Sequence, residues 1–195
     1  MLKRLSERLW RPSARRVSAP KQAWARLVRG GGDAAGRRDA FRWLIWGLLA
    51  EVPGFFVASA HGPWVPEEVS LLIRNESRDP VVRGLGPILA VGLKAHRTRP
   101  TQATDVAVFL GAVASNKWNA GLLFSLSGFT ANALQRAGMA SRNGPLIGLV
   151  GPEEVQDMMK RPGDVGPLVY VLARTLLVGR GLEVSAPGSR CATPG

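Results

Sequence analysis

Residues 121–134, GLLFSLSGFTANAL, hold the most informative change of pattern in the chain. Gly121 to Leu126 is a near-continuous apolar run, as in a strand buried on both faces. Ser127-Gly128-Phe129-Thr130 supplies turn chemistry, and Thr130 or Ser127 is placed to cap a helix running to about Ala140. A buried strand, a tight turn and a capped helix in that order are the units of a sheet with helices on its faces.

The same alternation extends in both directions. Toward the N-terminus, Val106, Phe109, Leu110 and Val113 mark a helix after the Arg97-Thr98-Arg99-Pro100 break, and Ile88 to Lys94 reads as a central strand. Glu68 to Arg74 alternates, with Val69, Leu71 and Ile73 on one face and Glu68, Ser70, Leu72 and Arg74 on the other. Asn75 to Gly86 is a polar excursion, and Phe55 to Ser59 a short β-prone run. Before them, Asp39 is a candidate N-cap for a helix carrying Phe41, Leu44, Ile45, Leu48 and Leu49, ended by Pro53-Gly54. Toward the C-terminus, Leu146 to Val150 reads as a strand. Gly151-Pro152-Glu153-Glu154 opens a helix with Pro at its first position and acids in its first turn. Val165 to Val178 is a last apolar helix. The expected order is α-β-β-β-α-β-α-β-α-α, a mixed sheet flanked by helices, without internal repeats.

The 195 residues, 46% of them hydrophobic, suffice for one domain with a core. The net charge of +12 points to a polyanionic partner, but it is unevenly placed. Residues 1–42 hold twelve of the 26 basic residues against only Glu7, Asp33 and Asp39. The expected organisation is a flexible basic arm over 1–38 with Gly30-Gly31-Gly32 as hinge, a domain over 39–162, a C-terminal helix over 163–180 and a tail over 181–195. The Arg-rich, acid-poor start also has the composition of an organellar transit peptide. Trp10 and Trp24 lie among arginines, where aromatics stack on bases, anchor at a membrane surface or pack an amphipathic helix on the domain. Trp43 and Trp46 belong to core or near-core.

Composition excludes several chemistries. The single cysteine, Cys191, gives no intrachain disulfide and fits a reducing, cytoplasmic setting. His61 and His96 cannot alone make a tetrahedral metal site. The apolar stretch Trp43 to Phe56 contains Glu51 and Pro53 and falls short of the roughly 20 residues a membrane span needs. No P-loop or dinucleotide fingerprint is present, and Ser125 and Ser127 read as turn formers rather than nucleophiles.

Four segments in succession, EEVSLLIRNESRDP (67–80), GPILAVGLK (86–94), GLLFSLSGFTANAL (121–134) and LIGLVGPEEVQDMM (146–159), resemble the Mrr-type restriction-endonuclease-like family, the PD-(D/E)xK nucleases. The resemblance implies an α-β-β-β-α-β core and hydrolysis of DNA phosphodiesters with a divalent metal such as Mg²⁺. It implies an Asp on the second strand, an acid two residues before a Lys on the third, and often a further carboxylate in the first helix. These positions are Ser70, Gly92 and Lys94, with Arg42 in the helix, so the Lys is retained and the acids are not. Since Mg²⁺ needs carboxylate oxygens, Glu68 is the best remaining metal ligand, on the face shared with Ser70. Glu67 reads as exposed, and Asp105 as a helix N-terminus stabiliser.

The resulting expectation is a DNA-binding pseudonuclease, with Lys94, His96, Arg97 and Arg99 on phosphate and no cofactor. The alternatives are an active Mg²⁺-dependent endonuclease of a restriction or defence system, using Glu68 and Lys94, and a protein-interaction module. A homodimer is compatible with either.

Overall fold

The computed structural model describes residues 20–30, 33–60 and 65–182. The apolar run of β3 (Ile88–Lys94) lies at the centre, because its alternate residues serve two cores. Leu89 and Val91 face one cluster with Leu71, Ile73, Leu122 and Phe124, whereas Ala90 faces the other with Leu72, Leu123 and Phe109.

The sheet order is β1-β2-β3-β4-β5, with β1 (Phe55–Ser59), β2 (Leu71–Asn75), β4 (Ala120–Ser125) and β5 (Leu146–Val150) around β3. The first three strands are antiparallel neighbours, and β3, β4 and β5 are parallel. Residues of α1 (Pro20–Arg29), α2 (Ala34–Ala50), α6 (Pro152–Lys160) and α7 (Gly166–Gly179) enter the first cluster. Those of α4 (Ala103–Ser115) and α5 (Ala131–Ala140) enter the second. The short α3 (Pro80–Arg83) occupies the expected polar excursion, capped by Asp79. It is held by Asn75, whose Nδ2 donates to the carbonyls of Val82 (2.7 Å) and Gly86 (2.9 Å).

Three expectations are corrected. The first-domain helix starts at Ala34, not after Asp39: Asp33 is the N-cap, accepting from the Gly36 N–H at 2.8 Å, while Asp39 is internal and pairs with Arg42 at 3.1 Å. Within the expected flexible arm, residues 20–29 form a helix that buries Trp24 and Leu27, three residues apart on one face. Packed structure therefore begins ahead of residue 39; Gly30 follows α1, and residues 1–19, including Trp10, lie outside the described residues. The strand expected from Glu68 starts at Leu71, because Pro66 opens a turn closed by the Val69 N–H on its carbonyl (3.0 Å). Val69 joins Leu72 in the second cluster, so alternation fails there and Glu68 is a turn residue.

Trp46 packs against the first core and meets the half-buried Trp43 edge-on at 6.1 Å. The last helix packs on its own sheet and covers the outer edge of β5. Arg174 donates to the Leu149 carbonyl (2.7 Å) and Thr175 to that of Ile147 (3.1 Å), satisfying edge acceptors that would otherwise invite another strand. Among the described residues, no helix is long and apolar enough to cross a membrane. Cys191, His61 and the 183–195 part of the expected tail lie outside the described residues.

Candidate nucleic-acid interface

The 127–130 turn that stands out in the sequence positions the site. The buried Ser125 hydroxyl donates to the Gly128 carbonyl and accepts from Thr101 Oγ1, both at 2.8 Å. The Thr101 N–H donates to the Gly128 carbonyl (2.9 Å), and Ser127 Oγ donates to the Arg99 carbonyl (2.6 Å). Thr130 caps α5, accepting from the Ala133 N–H. Gly128, at φ +79°, makes the reversal in a left-handed conformation that suits glycine. Ser127 is the expected turn residue, whereas Ser125 is the last residue of β4 rather than part of the turn, and together they fix segment 99–101 against the end of that strand. The start of α4 is thereby set beside the end of β3.

That juxtaposition brings Asp105 to Lys94. Lys94 Nζ lies 3.1 Å from Asp105 Oδ1, and Arg99 lies 3.6 Å from Oδ2. Asp105 Oδ2 also accepts from the Gln102 N–H at 3.0 Å, so the expected stabilisation of the helix start is present together with an unexpected ion pair. Burial pushes the Asp105 carboxyl up. The Gln102 N–H, the Lys94 ammonium and the Arg99 charge outweigh it and hold the group below its ordinary 3.8.

The basic segment 94–99 is divided rather than continuous. Arg97 donates to the Val28 carbonyl at the end of α1 (3.2 Å), and Arg99 leans on Asp105. Lys94 and His96 instead line a cavity of about 300 Å³ between the first turns of α2, the 66–70 turn and the end of β3. Glu67, Glu68 and Ser70 line it as well, so the exposed Glu67 and the turn residue Glu68 share it. Arg37 and Arg38 complete it from α2. The Arg37 Nε donates to the Ala95 carbonyl at 3.1 Å. Sequence reasoning missed these two arginines by assigning them to a mobile arm; the signal was a basic doublet four residues after Asp33, on the first turns of a helix.

Gly92 tests whether the acid-bearing face survives. A Cβ there would lie 2.7 Å from Leu123 Cδ1 and 2.9 Å from two ring atoms of Phe109. Both neighbours belong to the second core cluster, so the position admits no side chain without displacing buried apolar groups. Ser70 bonds to β3 through its N–H on the Val91 carbonyl at 2.8 Å. Its hydroxyl and the Glu68 carboxylate are a poor donor set for Mg²⁺, and no cluster of three His, Cys, Asp or Glu suited to a metal occurs among the described residues. Among the described residues, this donor set does not fit the divalent metal that restriction-endonuclease-like nucleases use.

A five-stranded mixed sheet with the α-β-β-β-α-β succession is the architecture of a restriction-endonuclease-like domain. Residues 67–159 match the Mrr_cat family model, described as a restriction endonuclease, and over this segment the chain is similar to Mrr-type restriction-endonuclease-like domains. No curated protein and no solved structure matches. The matched segment contains Ser70, Gly92, Lys94 and Asp105; Arg37 and Arg38 precede it.

Proposed function

We propose that this chain binds DNA through its phosphates and does not cleave it by the metal-dependent route of its family. The observation that carries the proposal is the packing at Gly92: where the family places a carboxylate, Phe109 and Leu123 fill the space. Lys94, which in an intact site would act beside that carboxylate, is held by Asp105. Without carboxylates at positions 70 and 92, where the family sets them beside its lysine, neither charge neutralisation by a divalent ion nor activation of a water is provided for in the family's manner.

Binding needs less. A net charge of +12, the cavity cations and the exposed Lys21, Arg26 and Arg29 of α1 favour a polyanion through counterion release, independently of sequence. Lys94, His96, Arg97 and Arg99 remain the proposed phosphate contacts, joined by Arg37 and Arg38. The active-endonuclease and interaction-module readings are outcomes of the same experiment. The full chain is incubated with supercoiled plasmid and Mg²⁺ or Mn²⁺, and duplex binding is followed against salt. The expected result is no nicking and an affinity that falls steeply with salt. Nicking abolished by Glu68→Ala and by Lys94→Ala would establish the active enzyme; absence of duplex binding at moderate salt would leave the interaction module. The arm's contribution is measured by removing residues 1–19, since removing 1–38 would strip Trp24 and Leu27 from the core.

A further inference from the structure

The cavity beside Lys94 is the wrong size for a duplex and the right chemistry for a single phosphate. Pockets that take small ligands run from roughly 300 to 1,000 Å³, and this one, at about 300 Å³, stands at the lower limit. A phosphodiester within a duplex runs along a convex backbone and reaches only the rim. A terminal phosphate, esterified on one side only and carrying three non-bridging oxygens where a phosphodiester has two, can enter alone.

Arg37 is the group prepared for it. Its Nε is tied to the Ala95 carbonyl, which fixes the guanidinium plane, and its Nη groups have no hydrogen-bond partner among the described residues. A fixed fork of this kind matches the paired oxygens of a phosphate. Arg38 and His96, both exposed, and Lys94, half-buried, add three further polar groups to the wall. Glu67 and Glu68 face the same space. They oppose a second anionic group and offer acceptors to hydroxyl or amino groups, which suits one phosphate attached to a sugar and disfavours a chain of phosphates.

We infer that the cavity is a phosphomonoester site, taking the phosphorylated end of a DNA strand or a nucleoside monophosphate, with Arg37 as its principal anchor. The inference rests on the phosphate-binding reading above and adds a preference for ends over interior backbone. Neither the strand positions of the family site nor the matched segment contains Arg37.

The test uses the full chain and three versions of one short duplex: ends phosphorylated, ends as hydroxyls, and ends closed by loops. Thymidine monophosphate and thymidine serve as competitors. The expected result is about tenfold tighter binding of the phosphorylated duplex, a difference of about 1.4 kcal/mol. The preference disappears in Arg37→Ala, is only partly kept in Arg37→Lys, and is unchanged in Arg136→Ala, an exposed charge on α5. Melting curves check that Arg37→Ala stays folded, and Arg37→Gln replaces it if it does not. Competition by thymidine monophosphate but not thymidine identifies the free nucleotide as a second source; no competition restricts the site to strand ends. Equal affinity for all three duplexes, with no competition by the nucleotide, overturns the inference while leaving DNA binding in place. Loss of binding to every duplex overturns both.

Discussion

The two ends of the site have had opposite fates. Around Gly92 the face of β3 is apolar and closed by Phe109 and Leu123, whereas two residues further on Lys94 lines a charged cavity. A family that places an acid and a lysine two residues apart on one strand face needs both in the same polar space. Here the spacing persists and the shared space does not. The inner half is core, and the outer half lines a cavity with Arg37, Arg38, Lys94 and His96.

The largest expected effect breaks the inner half. Gly92→Glu puts a carboxylate against Phe109 and Leu123 and is expected to cost about 3–5 kcal/mol, combining overpacking with an unpaired buried charge. Gly92→Ala, which adds only the methyl, is expected to cost about 1–3 kcal/mol. Urea denaturation measures both, and neither Gly92→Glu nor the Ser70→Asp/Gly92→Glu pair is expected to nick plasmid. A stable, active double variant would show that the acid site is merely vacant of side chains and not closed.

The outer half is sharpened by Asp105→Asn. Asparagine still accepts from the Gln102 N–H but releases Lys94 and Arg99, so duplex binding should tighten and its salt slope steepen by about one. At neutral pH the variant should lose about 1–2 kcal/mol of stability. Because the Asp105 value is lowered on folding, its contribution is complete above the ordinary 3.8 and is lost as pH falls through the native value. The stability gap between wild type and variant should therefore close in acid, which denaturation at a series of pH values would read. A gap that widens in acid would have the wrong sign.

Smaller effects belong to single cations. Lys94→Ala should weaken duplex binding and reduce the salt slope by about one. Arg29→Ala on the exposed face of α1 should do the same to a lesser extent, with equal losses across unrelated sequences.

Much of the fold was legible because its elements carry strong periodicity: β1, β3, β5, α6 and the last helix stand within a residue or so of where apolar pattern, Pro152 and the acids after it put them. The failures share a cause. Alternation places Glu68 on a strand because it cannot show the turn that Pro66 makes, and composition places α1 in a flexible arm because its basic residues outnumber the two buried residues that dock it. Of the site, Ser70, Gly92 and Lys94 were visible through the resemblance. The Lys94–Asp105 pair was not, since it depends on a crossover that returns α4 to the end of β3, and neither were Arg37 and Arg38, which reach the cavity from a separate helix.

The central claim is that the metal-binding half of the site is gone while its phosphate-facing half remains. Titrating the full chain with Mn²⁺ and following the electron paramagnetic resonance of the free ion tests it most directly, with and without duplex DNA. The account predicts that free Mn²⁺ rises in step with the amount added, with no stoichiometric uptake by the protein alone and none gained from the protein in the complex beyond that of the DNA. One Mn²⁺ taken up per chain, and lost in Glu68→Ala, would contradict it.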